Sequence, residues 1–179
     1  MIEIIFPDTL PAIPWKNGGG LTREIAKQQE NGAVIWRLSI ADITSDGPFS
    51  RFDGLTRILT VIEGAGVDLR GPDGVMQARL LQPVRFSGDL PIVGCLTHGP
   101  IRDLNVIFDA TRVAADVGLL KGPQRIDLGP GQTGCLVMTG RVQADDVLVP
   151  PAAFAFGTRG QIALGPTALA LIVTLHLLH

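Results

Sequence analysis

An all-β sandwich or barrel is the fold this sequence predicts. Short runs rich in Val, Ile, Leu and Thr recur along the chain, each bounded by turn residues. Its 22 glycines and 13 prolines are spread throughout rather than pooled in one linker. No segment shows the 3.6-residue apolar period of an amphipathic helix over three turns. Asp109–Leu120 is the nearest helical candidate, and its Val and Gly content weakens it.

In chain order the strand-like runs are Val34–Ile40, Arg57–Ile62, Val75–Leu81, Pro91–Leu96, Leu104–Phe108, Gly134–Met138 and Leu169–Leu175. The segment VDLRGPDGVMQARL reads as a hairpin turning at Gly71-Pro72-Asp73-Gly74. The terminal run ALALIVTLHLLH, Ala168–His179, is too short to span a bilayer and reads as a buried strand. It could also pair as an exposed strand or pack between subunits, so a homo-oligomer is one expected partner state. LTVIEGAGV (Leu59–Val67) is echoed by LVMTGRV (Leu136–Val142), in each case a strand running into a glycine turn. That echo points to two similar β lobes.

Composition excludes several classes of function. Net charge is −2, with 15 basic and 17 acidic residues, which gives no electrostatic footprint for nucleic acid or an anionic membrane. Cys95 and Cys135 have no CxxC spacing and sit among apolar neighbours, as free thiols of a reducing cytoplasm do. The start, MIEIIFPDTL, lacks a basic region and is cut by Pro7 and Asp8, so it does not read as a signal peptide. His98, His176 and His179 lack metal-ligand spacing, so neither a metal nor a cofactor is expected.

The stretch PWKNGGGLTRE, Pro14–Glu24, looks at first like a phosphate cradle. A Walker loop, however, needs its lysine after the glycines and a helix beyond, and Lys16 precedes Gly18. Two readings stay open: a glycine-rich turn between strands, or a ligand-facing loop, in which Lys16 and the glycine amides form a small anion nest or glycine brings the backbone close to a ligand.

Trp36–Gly66, WRLSIADITSDGPFSRFDGLTRILTVIEGAG, resembles the first motif of the cupin fold. Ser50 and Phe52 fall where the two histidines stand, Arg57 where the glutamate stands, and Gly64 at the closing glycine. Two imidazoles and a carboxylate hold a divalent cation; a hydroxyl, a phenyl ring and a guanidinium do not. No histidine between Phe86 and Leu96 completes a second motif. Arg57 attracts a carboxylate instead, or forms a structural salt bridge with Asp42, Asp46, Asp53 or Glu63. In WRLSIAD, Arg37 and Ser39 share a face that either lines a cavity or meets solvent. In RDLNVI, Asp103 and Asn105 share a face, and Asn105 is either a ligand contact or a tie between strands. Arg51 reads as a surface charge.

Together PWKNGGGLTREIA, WRLSIADITSDGPFSRFDGLTRILTVIEGAGV, FSGD and GPIRDLNVI resemble the HutD/Ves family over Pro14–Ile107. The resemblance implies a bicupin, two cupin-like β-barrel or jelly-roll lobes in one bacterial, cytoplasmic chain. Its lobes fall near 1–108 and, in degenerate form, 109–179. It also implies a regulatory role in histidine utilisation through binding of a small acidic metabolite, with formylglutamate, formate and urocanate as the ligand class. On that fold Arg57 would hold the anion, Lys16 and Asn17 would close the cavity mouth, and Trp15 would wall it. Arg37, Ser39, Ser50, Phe52, Asp103 and Asn105 complete the candidate site. The alternative is a metal-independent cupin isomerase, epimerase or hydrolase using Asp42, Glu63, Asp103 or Lys16 as acid or base. A protein-interaction module whose apolar surface covers a subunit interface is the third.

Overall fold

The computed structural model describes residues 1–178 and contains nineteen strands and one turn of 3-10 helix, Pro7–Thr9. In chain order they are β1 (Ile2–Ile5), β2 (Ala12–Pro14), β3 (Gly20–Glu30), β4 (Ala33–Ile43), β5 (Gly47–Pro48), β6 (Thr56–Glu63) and β7 (Val67–Gly71). There follow β8 (Gly74–Ala78), β9 (Val84–Ser87), β10 (Val93–Leu96), β11 (Ile101–Phe108), β12 (Val113–Lys121) and β13 (Gln124–Leu128). The last six are β14 (Gln132–Thr139), β15 (Val142–Ala144), β16 (Val147–Val149), β17 (Phe154–Gly157), β18 (Gly160–Leu164) and β19 (Leu169–Leu177). The fold is all-β, as the sequence predicts. No helix among the described residues is long and apolar enough to cross a membrane.

The chain divides into two compact units. One is Leu10–Thr111; the other joins Met1–Thr9 to the stretch from Arg112 onward. In the first, a sheet ordered β2-β3-β4-β11-β6-β9 belongs with a smaller sheet, β5-β10-β7-β8. Their inward side chains, among them Ile43, Leu59, Val61, Val67, Leu69 and Ile92, form one apolar core. The second unit has the sheets β1-β17-β14-β19-β12 and β13-β18-β15-β16 around its own core, which includes Val137, Val142, Ile162 and Leu164. The order β4-β11-β6-β9 recurs as β12-β19-β14-β17, and β5-β10-β7-β8 recurs as β13-β18-β15-β16. Each unit is thus a cupin-like two-sheet barrel, and the bicupin fold follows. The sequence echo falls on matching places, β6 into β7 and β14 into β15.

Local chemistry explains the elements. Gly71 pairs with Gly74, so the expected hairpin turns at Pro72-Asp73. Asp109–Leu120 is not helical. The Asp109 carboxylate accepts from the Thr111 amide at 2.9 Å, and β12 then alternates buried Val113, Ala115 and Val117 with exposed Ala114 and Asp116. That period of two sends one side to the core, which a helix over the same residues would scatter. β19 lies between β14 and β12, paired along both edges. The terminal run is therefore a central strand, and pairing with a second chain as an exposed edge is closed to it. His179 lies outside the described residues.

Candidate functional site

Three neighbouring strands of the first unit set their inward side chains in register. Arg37 on β4, Ile107 on β11 and Arg57 on β6 form one row. Ser39, Asn105 and Leu59 form the next, then Ala41, Asp103 and Val61. The alternation that buries Trp36, Leu38 and Ile40 on one side of β4 places Arg37 and Ser39 on the other, facing a cavity of about 500 Å³. Ser39 is buried and Arg37 half-buried, so the solvent-facing reading of these two fails.

Arg57 is 6% exposed and sits at the cavity wall. Its guanidinium carbon lies 5.4 Å from the Phe49 ring centroid, 5.4 Å from Phe52 and 5.3 Å from Phe86. Its Nη2 donates to Asn105 Oδ1 at 2.8 Å, and Nη1 makes a long bond of 3.4 Å to the Ser50 carbonyl. Nε has no partner. Burial lowers the Arg57 pKa to about 10, countered by Asp103 and helped by Arg37, so the group stays protonated at neutral pH.

Behind Asn105 lies Asp103, 0% exposed. Asn105 Nδ2 donates to Asp103 Oδ1, while Oδ2 has no hydrogen-bond partner. Burial pushes the Asp103 carboxyl up to about 7, against the pull of Arg57 and the Asn105 bond. Of the two readings of Asn105 from sequence, the tie between strands is the one seen. Asn105 lines the cavity, and it ties β6 to β11 by linking a buried cation to a buried carboxyl.

None of the expected acidic partners reaches Arg57. Asp42 holds Arg23 and Arg102, both at 2.6 Å; burial raises its pKa, but these arginines outweigh burial and the net shift is downward. Asp46 accepts from the Leu96 amide, Asp53 pairs with exposed Arg51, and Glu63 lies 3.7 Å from Arg102. Arg37 is neutralised by Glu24 at 2.9 Å, which also holds Lys27.

The glycine stretch is a hairpin loop joining β2 to β3. Trp15 N donates to Gly20 O at 2.9 Å, Gly18 N to Trp15 O at 3.0 Å, and Gly19 N to Asn17 Oδ1 at 3.0 Å. The amides of Gly18 and Gly19 are therefore spent inside the turn, and the anion nest is not formed. Gly18 has φ +71°, and a Cβ on Gly20 would lie 2.6 Å from the Asp42 carbonyl. The turn delivers Lys16 and Asn17 to the cavity mouth, where Asn17 Nδ2 donates to the Pro48 carbonyl at 3.3 Å. Trp15 forms a wall, its Nε1 donating to Thr22 Oγ1 at 2.8 Å and its ring meeting Phe49 edge-on at 5.8 Å.

Eight candidates from the sequence meet at this one cavity: Lys16, Asn17, Arg37, Ser39, Ser50, Phe52, Arg57 and Asn105. Asp103 does not line it. Sequence reasoning missed Phe49 and Phe86, two of the three rings around Arg57; their places in PFSRF and FSGD were the available signal. Among the described residues no cluster of His, Cys, Asp or Glu is arranged to hold a metal ion.

The second unit carries no copy of this constellation. Leu59 and Val61 face the first core as Cys135 and Val137 face the second. Two residues earlier, Thr133 stands where β6 has Arg57. Ile172 lies opposite Cys135 as Asn105 lies opposite Leu59, and Ala170 replaces Asp103. Burial raises the Cys135 thiol to about 12, leaving it inert.

The HutD family profile matches residues 8–170. A 21.2 kDa protein in the hutC 3′ region of Pseudomonas putida is 39% identical over 129 residues, covering 70% of this chain and 67% of that one. The solved structure of HutD from Pseudomonas fluorescens SBW25, in a formate condition, is 31% identical with a TM-score of 0.89, covering both chains fully. A cupin 2 conserved barrel domain protein from Leptotrichia buccalis, 9% identical with a TM-score of 0.63 over 98% of this chain and 96% of that one, shares the fold. With one family covering nearly the whole chain and the cupin barrel seen twice within it, this protein belongs to the HutD family.

Proposed function

We propose that the protein binds a small carboxylate metabolite of the formylglutamate, formate or urocanate class in this cavity. The role is regulatory, within histidine utilisation in the cytoplasm. Arg57 is the observation that carries this reading. A guanidinium held in an apolar ring cage, with one nitrogen unpartnered and no carboxylate in direct contact, is a cation short of its complement. Lys16 at the mouth adds a second positive charge with no ion-pair partner among the described residues. The apolar walls of Trp15, Phe49 and Phe52 suit a ligand body of few polar atoms.

Thermal melts with formate, formylglutamate, urocanate, glutamate and histidine test this, each with and without chelator. A ligand at 100 times its Kd adds about 2.7 kcal/mol. For a chain of this size that raises Tm by roughly 5–11 °C. The expected result is a rise with at least one acid, indifferent to chelator and lost in Arg57→Ala. No rise with any acid overturns the proposal.

One observation favours the enzymatic alternative: the Asp103 carboxyl, raised to about 7, is poised for acid–base work. Its position behind Asn105 weighs against that reading, because a ligand in the cavity meets the amide first. Proton NMR of each candidate acid incubated with the protein distinguishes the two, since only an enzyme changes the acid.

A further inference from the structure

Resting on the anion-binding reading of the cavity, we propose that a carboxylate arriving at Arg57 is accompanied by a proton taken up from solvent on Asp103. Asn105 relays the change between them. Binding is then the joint uptake of an anion and a proton, and the occupancy of the site depends on pH as well as on ligand concentration.

The geometry is a chain of three side chains. Arg57 donates to Asn105 Oδ1, Asn105 donates to Asp103 Oδ1, and Asp103 Oδ2 is buried without a partner. Above about pH 7, in the ligand-free cavity, the guanidinium and the then-ionised Asp103 offset each other through Asn105. A second anion at Arg57 breaks that balance and leaves two negative charges sharing one buried positive charge. In a site of low effective dielectric such a pair does not stay doubly ionised. The ligand touches the guanidinium and solvent supplies protons, so the proton goes to the remaining carboxyl. One O–H bond forms on Asp103 Oδ2, and the donor is a buffer acid or hydronium. The donor's own bond to that proton breaks, leaving its conjugate base in solvent, and no other covalent bond changes.

Few other charges act on Asp103. On β4 the inward charge is Arg37, already paired with Glu24 of β3. Asp42, held by Arg23 and Arg102, adds a negative charge that raises the Asp103 pKa further, while the Ala41 backbone amide favours the ionised form of Asp103. From β6 only Arg57 faces inward, since Leu59 and Val61 are apolar. From β9 the inward residue is Phe86, the opposing sheet presents Val67 and Leu69, and Ile92 adds to them from just before β10. Lys16 stands at the mouth.

The direction of the effect follows. Asp103 in the free protein sits near 7 because of burial, and an anion beside Arg57 raises it further. Affinity is greatest and flat below that pH. Above it, Kd rises toward tenfold per pH unit until the ligand-bound pKa is passed.

Isothermal titration with formate, fully ionised across this range, tests the proposal between pH 6 and 9. At pH 8 it is repeated in buffers of different ionisation enthalpy. The expected outcome is a Kd that climbs with pH and a proton uptake approaching one per formate. In Asp103→Asn both the slope and the uptake vanish, and affinity at pH 8 is at least that of wild type. If Asp103→Asn does not fold, the wild-type uptake number still decides. As a second readout, infrared difference spectra of wild type should gain a protonated-carboxyl C=O band on adding formate. Binding at constant Kd with no proton uptake overturns this inference and leaves the anion site standing. If formate does not bind at any pH, titration with formylglutamate replaces it; failure of both removes the anion site and this inference together.

Discussion

Arg57 and Asp103 stand 46 residues apart in the 179-residue chain, yet their side chains are joined by one asparagine. Arg57 was legible because it stands where a cupin metal ligand stands, and a cation there reverses the chemistry of the position. Its cage was not legible: Phe49 and Phe86 reach it from a loop and from a neighbouring strand, through approaches that no local spacing encodes. Asp103 was read as a ligand contact because it shares a face with Asn105; depth along the barrel, which separates them, is invisible in an alternation of two. The buried carboxyl also makes stability depend on pH. Its pKa rises from 3.8 to about 7 on folding, because burial penalises the charged form. Between those values the folded protein holds a proton that the unfolded chain has released. Wild-type stability therefore falls as pH climbs through that window, by at most about 1.4 kcal/mol per unit. Asp103→Asn lacks this contribution, so its stability relative to wild type should grow from pH 4 to 7 and level off above. Urea midpoints of both proteins across that range check it, and a pH-independent difference would refute the assignment.

Single strands and turns show where local pattern suffices. The 71–74 hairpin and β4, β6, β11, β14 and β19 were readable from turn residues and β-branched runs, whereas β3 and β12 were not. Gly47–Pro48 was not, since a two-residue strand has no period. The glycine loop was readable as a turn but not as one whose amides are consumed internally, because that depends on the fold of Asn17 back onto Gly19. Packing between β10 and the cavity wall gives a sharper test. A Cβ on Gly94 would lie 2.4 Å from Phe49 Cε1, and Phe49 in turn packs on Arg57 and Trp15. Gly94→Ala should therefore cost roughly 1–3 kcal/mol and weaken anion binding by displacing that ring. Gly118→Ala on β12, whose nearest neighbour would be 3.6 Å away, is the control and should leave binding unchanged. Denaturant midpoints with parallel titrations measure both effects; wild-type behaviour of Gly94→Ala would show that Phe49 does not wall the site.

Across the whole molecule, the repeat was readable only as a faint echo, whereas the strand order shows it in full. The first nine residues were grouped by the sequence with 10–108, but β1 pairs with β17, Ile2 opposite Gly157 and Ile5 opposite Phe154. A pairing across some 150 residues leaves no local trace. Ile2 and Ile4 pack on the core of the second unit, so removing residues 1–9 should destabilise that unit by about 2–4 kcal/mol. Hydrogen exchange at Phe154–Gly157 should speed up while β4, β6 and β11 keep their protection; uniform loss of protection would count against independent units. The same pairing orders events during synthesis. Residues 10–111 can close their barrel as soon as they leave the ribosome, whereas the first strand must wait for residue 157. At about 5–20 residues per second that wait lasts seconds, during which a short apolar segment has no partner. A chaperone that shields nascent chains would find its substrate there, at Ile2–Ile5, rather than at the growing end.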